Sequence, residues 1–207
     1  MPAEASPFCI ASVVEGQGEV AAVPVLITRI VSELFGLAAI SLNPVRLPRE
    51  KIIAAEPKTL EYIQKLSARV AAMDPTGKRS GVLVLVDADE DCPASLFDRL
   101  RRDLPDCDAP VFTVAAKLEY ETWFVASAET LGELLNLEDE FVPVVAPEQS
   151  GQRKRWIRKR IKAPSYRETA DQRKLTSRID LGLCRSRCPS FDKLCRDLES
   201  LMTAQSD

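Results

Sequence analysis

The stretch "GVLVLVDADED" at 81–91 constrains this chain more than any other. Five consecutive apolar residues, rich in valine and closed by acids, read as a strand buried on both faces, the kind found in parallel sheets. "PFCIASVV" at 7–14 is a second such strand, short, apolar and β-branched at its end. "APVFTVAA" at 109–116 is a further strand, and "AAISLNPVRL" at 38–47 reads as another. Between them lie helical patterns. "VAAVPVLITRIVSELFGL" carries Pro24 in its first turns and Gly36 near its stop. The 49–73 stretch is apolar at helical spacing with a break near Pro57, "PASLFDRLRRDL" is a short amphipathic helix, and "KLEYETWFVASAETLGELL" reads as helical. Strands alternating with helices predict a mostly parallel α/β sheet flanked by helices.

Past "FVPVVAPEQSG" the pattern becomes helical: "QRKRWIRKRIK", "YRETADQRKLTSRIDLGL" and "SFDKLCRDLESLM". The expected organisation is an α/β domain over 1–148 and a helical, basic C-terminal extension over 149–207 packed on it. Charge divides the same way. Residues 151–196 carry 15 Lys/Arg against 4 Asp/Glu, whereas the remainder carries 13 against 27. An acidic body with a basic surface suits contact with a polyanion. Arg153, Lys154, Arg155, Arg158, Lys159 and Arg160 are the first candidates for nucleic-acid contact; a solvated helical face is the plainer alternative. No apolar run approaches the roughly 18 residues that span a membrane. The N-terminal stretch lacks the basic segment of a secretory signal. A cytoplasmic location with reduced thiols is therefore expected for the six scattered cysteines.

The chain contains no histidine. That excludes Ser-His-Asp and Cys-His catalysis and histidine-ligated metal hydrolysis. Chemistry must come from carboxylates, Lys, Tyr, Cys or a bound ion. Glu15 ends the first strand; Asp87, Asp89 and Asp91 end the later one. In parallel α/β sheets the carboxyl ends of strands form one rim, where sites gather. If strand geometry persists through "DADED", Asp87 and Asp89 face one point while Ala88 turns aside. Two carboxylates about 5 Å apart repel by roughly 3 kcal/mol at an effective dielectric near 20. A divalent cation removes that cost, and an all-oxygen site favours Mg2+ or Mn2+ over zinc. The alternative is that these acids splay into water. Gly16 and Gly18 permit a tight turn and a close approach of backbone to a ligand.

Other motifs are weaker. "GKRS" at 77–80 lacks the earlier glycine of a P-loop and precedes a strand instead of following one. Glu119 and Glu121 start on the same rim, as added ligands or as acids complementing a helix dipole. Trp123 and Phe124 read as core. Cys184, Cys188 and Cys195 offer three thiols where structural zinc wants four ligands, so packing is expected.

A Glu-Gly after strand one, followed by an Asp-x-Asp after a later strand, resembles the Toprim domain of topoisomerases, primases and OLD-type nucleases. The strings "VEGQGEVAAVPVLITRI", "VLVDADEDC", "EYETWFVAS" and "SFDKL" are more particularly similar to a Toprim-related family of small bacterial proteins of unknown function. Its members are often found beside an ATPase, several in suspected phage-defence loci. The resemblance covers nearly the whole chain. It implies a Toprim-like sheet that binds Mg2+ through Glu15, Asp87 and Asp89, with Glu19 and Asp91 as second-metal ligands and Glu119 or Glu121 as additions. Nuclease members add a basic residue near the scissile phosphate, for which Lys117 and Lys162 are the candidates. Tyr62, Tyr120 and Tyr166 sit in no topoisomerase motif.

The expected function is Mg2+- or Mn2+-dependent phosphodiester hydrolysis on nucleic acid, DNA first, as a nuclease subunit of an antiviral defence system with an ATPase partner. Self-association is compatible with it, and no membrane is involved. The alternative is a non-catalytic metal-binding subunit that docks on or regulates the ATPase.

Overall fold

The computed structural model describes residues 7–74, 79–138 and 140–203. The Gly-Lys step of "GKRS" and the start of the N-terminal stretch lie outside the described residues.

The centre is a parallel sheet. β1 (Phe8–Val14) pairs with β4 (Ser80–Asp87), and β4 pairs with β5 (Val111–Ala116). The other side of β1 is shared by two short pieces, β2 (Ala39–Ser41) along its first half and β3 (Val45–Arg46) at its end. Strand order is β2-β1-β4-β5. Both central strands are buried along their whole length, as their unbroken apolar runs demand. Alternate residues serve opposite faces. Ile10, Val14, Leu83 and Leu85 pack with α1 (Glu19–Arg29), α5 (Glu121–Ala126) and the C-terminal helices. Ala11, Val13, Val82, Val84 and Val86 pack against Ile63, Leu66 and Val70 of α3 (Pro57–Met73) and Leu100 of α4 (Asp98–Asp103).

Several elements are more broken than their apolar periodicity suggests. The 38–47 stretch forms two strands, β2 and β3, with Pro44 between them. The 49–73 stretch splits near the expected point into α2 (Arg49–Ile53) and α3, with Ala55 in a left-handed turn (φ 50°) and Pro57 opening α3. Pro suits that first helical position because no intrahelical partner is lost. The expected helix over 117–135 is only α5 and a 3-10 turn, Ala128–Leu131.

The C-terminal region is helical and basic: α6 (Arg153–Arg160), α7 (Glu168–Thr176), α8 (Leu181–Arg187) and α9 (Pro189–Thr203). Where one helix is expected over 166–183 there are two. Asp180 caps α8, its Oδ1 accepting the Leu183 N–H at 2.8 Å. A capping acid starts a new helix by satisfying an amide that otherwise lacks a partner. Phe191, Leu194 and Leu198 of α9 and Leu175 of α7 lie in the same apolar core as α1 and α5. The aromatic centre of that core is Trp123, edge-on to Phe191 at 5.2 Å and 4.9 Å from Tyr120. Among the described residues, no helix is long and apolar enough to cross a membrane.

Candidate metal centre

The β1–β4 register places Val14 opposite Leu85. Glu15, one step past β1, therefore emerges almost level with Asp87, the last residue of β4. Glu15-Gly16-Gln17-Gly18 then turns the chain into α1, whose first residue is Glu19. The turn is tight at both glycines. A methyl on Gly16 would lie 2.7 Å from Glu19 Oε1. One on Gly18 would meet the Gln172 side chain and lie 2.7 Å from the Glu168 carbonyl. The bare Gly16 leaves room for the Glu19 carboxylate beside the strand ends, and the bare Gly18 leaves room for α7 against the start of α1.

Three acids converge there: Glu15, Glu19 and Asp87 each offer an oxygen within 4.8 Å of the others. No other group of three metal-capable side chains occurs among the described residues. They line a crevice of about 350 Å³ together with Arg49, Lys154 and Gln172. Glu19 is 3% exposed and Asp87 9%. Asp87 is held by α5: its Oδ1 accepts the Tyr120 N–H at 2.7 Å. Glu19 Oε2 accepts the Gly16 N–H at 3.3 Å. Glu15 Oε2 is buried and has no hydrogen-bond partner, a costly state for a carboxylate oxygen.

Electrostatics agree. Burial, then the Glu15 charge, pushes Glu19 up to about 8. Burial and the charges of Glu19 and Glu15 hold Asp87 well above the usual carboxylate range. Burial also raises Glu15, against the pull of the Asp87 amide and Arg49. Three acids that resist ionisation side by side are the environment a dication relieves. The donor set is all oxygen, the chemistry of Mg2+ or Mn2+. The residues present thus fit a divalent ion.

The remaining sequence candidates are placed differently. Strand geometry stops at Asp87. Asp89 takes a left-handed conformation (φ 49°), so Asp87 and Asp89 do not project to one side from alternate strand positions as expected. Asp89 and Asp91 instead reach Arg49, at 3.6 and 2.6 Å. Glu121 is fully buried behind the cluster; its Oε1 accepts from Tyr166 Oη (2.7 Å) and Gln172 Nε2 (3.1 Å). Glu119 Oε2 accepts the Lys154 N–H at 2.6 Å, fixing the start of α6 beside the crevice. Lys117 Nζ donates to the Asp91 carbonyl at 3.0 Å. Lys162 Nζ donates to the Gly132 carbonyl at 2.6 Å and does not line the crevice. Lys154 does line it. Burial disfavours its ammonium, but Glu121, Glu168 and Asp87 outweigh that and raise its pKa. Of the other α6 residues, Arg153 is buried on the Pro147 carbonyl, 2.8 Å from Nε, while Arg155, Lys159 and Arg160 border a separate open cavity with Trp156. Arg158 is exposed, 4.0 Å from Glu168. Cys184, Cys188 and Cys195 are buried free thiols, and burial pushes Cys184 up to about 12. Arg49 has no sequence signal; it stands in an ordinary helix start after Pro48.

A family model described as a domain of unknown function, DUF4276, matches residues 14–199. The chain belongs to the DUF4276 family. No curated protein and no solved structure matches it. The DUF4276 match runs through both the sheet and the basic helices, so it spans Glu15, Glu19 and Asp87 as well as Lys154.

Proposed function

We propose that this protein is a Toprim-like, Mg2+- or Mn2+-dependent phosphodiesterase acting on nucleic acid. The observation that carries the reading is the convergence of Glu15, Glu19 and Asp87 within 4.8 Å. These three would hold the ion. When bound, it would supply Lewis-acid stabilisation of charge on a phosphoryl oxygen and a lowered water pKa. Lys154, protonated by its acidic neighbours and lining the same crevice, would bind a phosphate oxygen in the role expected of Lys117 or Lys162. The basic face of α6 leads away from this point and would track the backbone without reading sequence. The division at 148/149 then separates a metal-holding part from a strand-holding part. The resemblance adds an ATPase partner and a defence role to this proposal.

Incubation of the purified full chain with plasmid and with single-stranded DNA and RNA, in Mg2+ and in Mn2+, tests it. Cutting is expected, lost in Asp87→Ala and reduced at least tenfold in Lys154→Met. Cutting by Asp87→Ala at the parental rate overturns the site. Metal binding without any cutting favours the non-catalytic subunit instead.

A further inference from the structure

The charges of α6 follow one another around the helix in a fixed order. At about 100° per residue, the side away from buried Arg153 and Ile157 reads Lys154, Arg158, Arg155, Lys159, Trp156, Arg160. Lys154, at one end of this series, lines the acidic crevice. The other end is an open cavity of about 430 Å³ lined by Gln152, Arg155, Trp156, Lys159 and Arg160. Lys154 and Arg158 lie 3.2 and 4.0 Å from Glu168. The cavity wall contains no carboxylate, and Arg155, Lys159 and Arg160 make no ion pair among the described residues. A basic track thus leads around the helix from the crevice to a cavity whose positive charge is not neutralised.

That cavity is aromatic as well as basic. The Arg160 guanidinium lies over the Trp156 ring, 4.3 Å from its centroid, and Phe141 meets the same ring at 6.3 Å. Packing on Phe141 accounts for the buried part of Trp156. It does not account for three unpaired cations gathered beside the exposed part. Phosphate contact alone uses cations and has no need of an indole, whereas an unpaired base stacks on aromatic rings and on guanidinium planes. Only a single strand offers such a base, because the faces of paired bases are covered by their neighbours. A single strand also bends around a helix roughly 10–12 Å across, which a duplex with a persistence length of about 150 base pairs does not. Resting on the nucleic-acid reading of α6, we propose that the substrate is single-stranded where it meets this protein. Its phosphates follow Arg158, Arg155 and Lys159 around α6, and one unpaired base joins the Trp156–Arg160 stack.

Fluorescence anisotropy of labelled oligomers tests this on the full chain, in a chelator so that nothing is cut. A thymidine oligomer is expected to bind at least tenfold more tightly than an abasic chain with the same number of phosphates, and more tightly than its own duplex with an adenine oligomer. Trp156→Leu, checked for folding by circular dichroism, is expected to lose the preference for thymidine and keep its affinity for the abasic chain. Trp156→Phe is expected to keep most of the preference. Equal affinity of the parent for the thymidine and abasic chains overturns the proposal without recourse to any variant, as does duplex binding as tight as that of the single strand. So does a thymidine preference that survives in folded Trp156→Leu. Thymidine monophosphate competing as effectively as the oligomer overturns it in favour of a small-nucleotide site. No binding of any oligomer overturns the nucleic-acid reading itself, and this proposal with it.

Discussion

Glu19→Gln isolates the cost of crowding acids at the strand ends. Glu19 titrates near 8 in the fold against 4.5 in an open chain. Because the folded pKa is raised, the folded state holds the proton more tightly. The contribution to stability is therefore complete below about pH 4.5 and is lost as pH rises through 8. Each pH unit between is worth about 1.4 kcal/mol, so ionising Glu19 in the metal-free fold costs on the order of 5 kcal/mol. Glu19 is 3% exposed, so solvent screens little of this. Against a typical stability of roughly 5–15 kcal/mol it is a large share. Glutamine keeps the shape, and its carbonyl oxygen can still accept the Gly16 N–H. The assay is urea unfolding in a chelator at several pH values, read by the fluorescence of buried Trp123. Parent and variant should be nearly equal near pH 4.5, with the variant increasingly more stable toward pH 8 and above. At an m-value of about 2–3 kcal/mol per molar, the full difference is about 2 M in urea midpoint. Parallel stability curves for the two proteins between pH 5 and 8 would refute the argument.

The same cluster predicts a metal effect: at pH 8, Mg2+ at a hundred times its Kd should stabilise the parent by about 2.7 kcal/mol and leave Asp87→Asn unmoved, as measured by thermal melting. An equal response in both proteins would place the ion elsewhere. Gly18→Ala should cost about 1–3 kcal/mol in urea unfolding, because its methyl meets the Glu168 backbone carbonyl and pushes α7 off α1; unchanged stability would show that this close approach is not tight.

Much of the fold was legible along the chain. Valine-rich runs at 8–14 and 80–87 have one stable use, as central strands covered on both faces. Their terminal acids, Glu15 and Asp87, must then share a rim. The interruptions were harder to read. The helices at 166–183 look continuous by apolar spacing, and only the Asp180 cap separates them. The extent of strand geometry in "DADED" also depends on a neighbour, since Asp89 is turned by its bridge to Leu118 beyond β5.

The sequence by itself determined which acids arrive at the carboxyl edge of the sheet, because strands joined by helical crossovers run parallel and their carboxyl ends then share one edge. Tertiary structure alone decided how those acids divide. Glu19 joins the triad because Gly16, lacking a side chain, leaves room for its carboxylate at the turn into α1. Asp89 and Asp91 leave it because Arg49, a residue 38 positions before Asp87 with no motif around it, arrives from α2 with a charge and a hydrogen-bonding fork. Lys154 enters from α6 because Glu119 anchors that helix. Contacts of this kind join side chains distant along the chain, and local periodicity carries no trace of them.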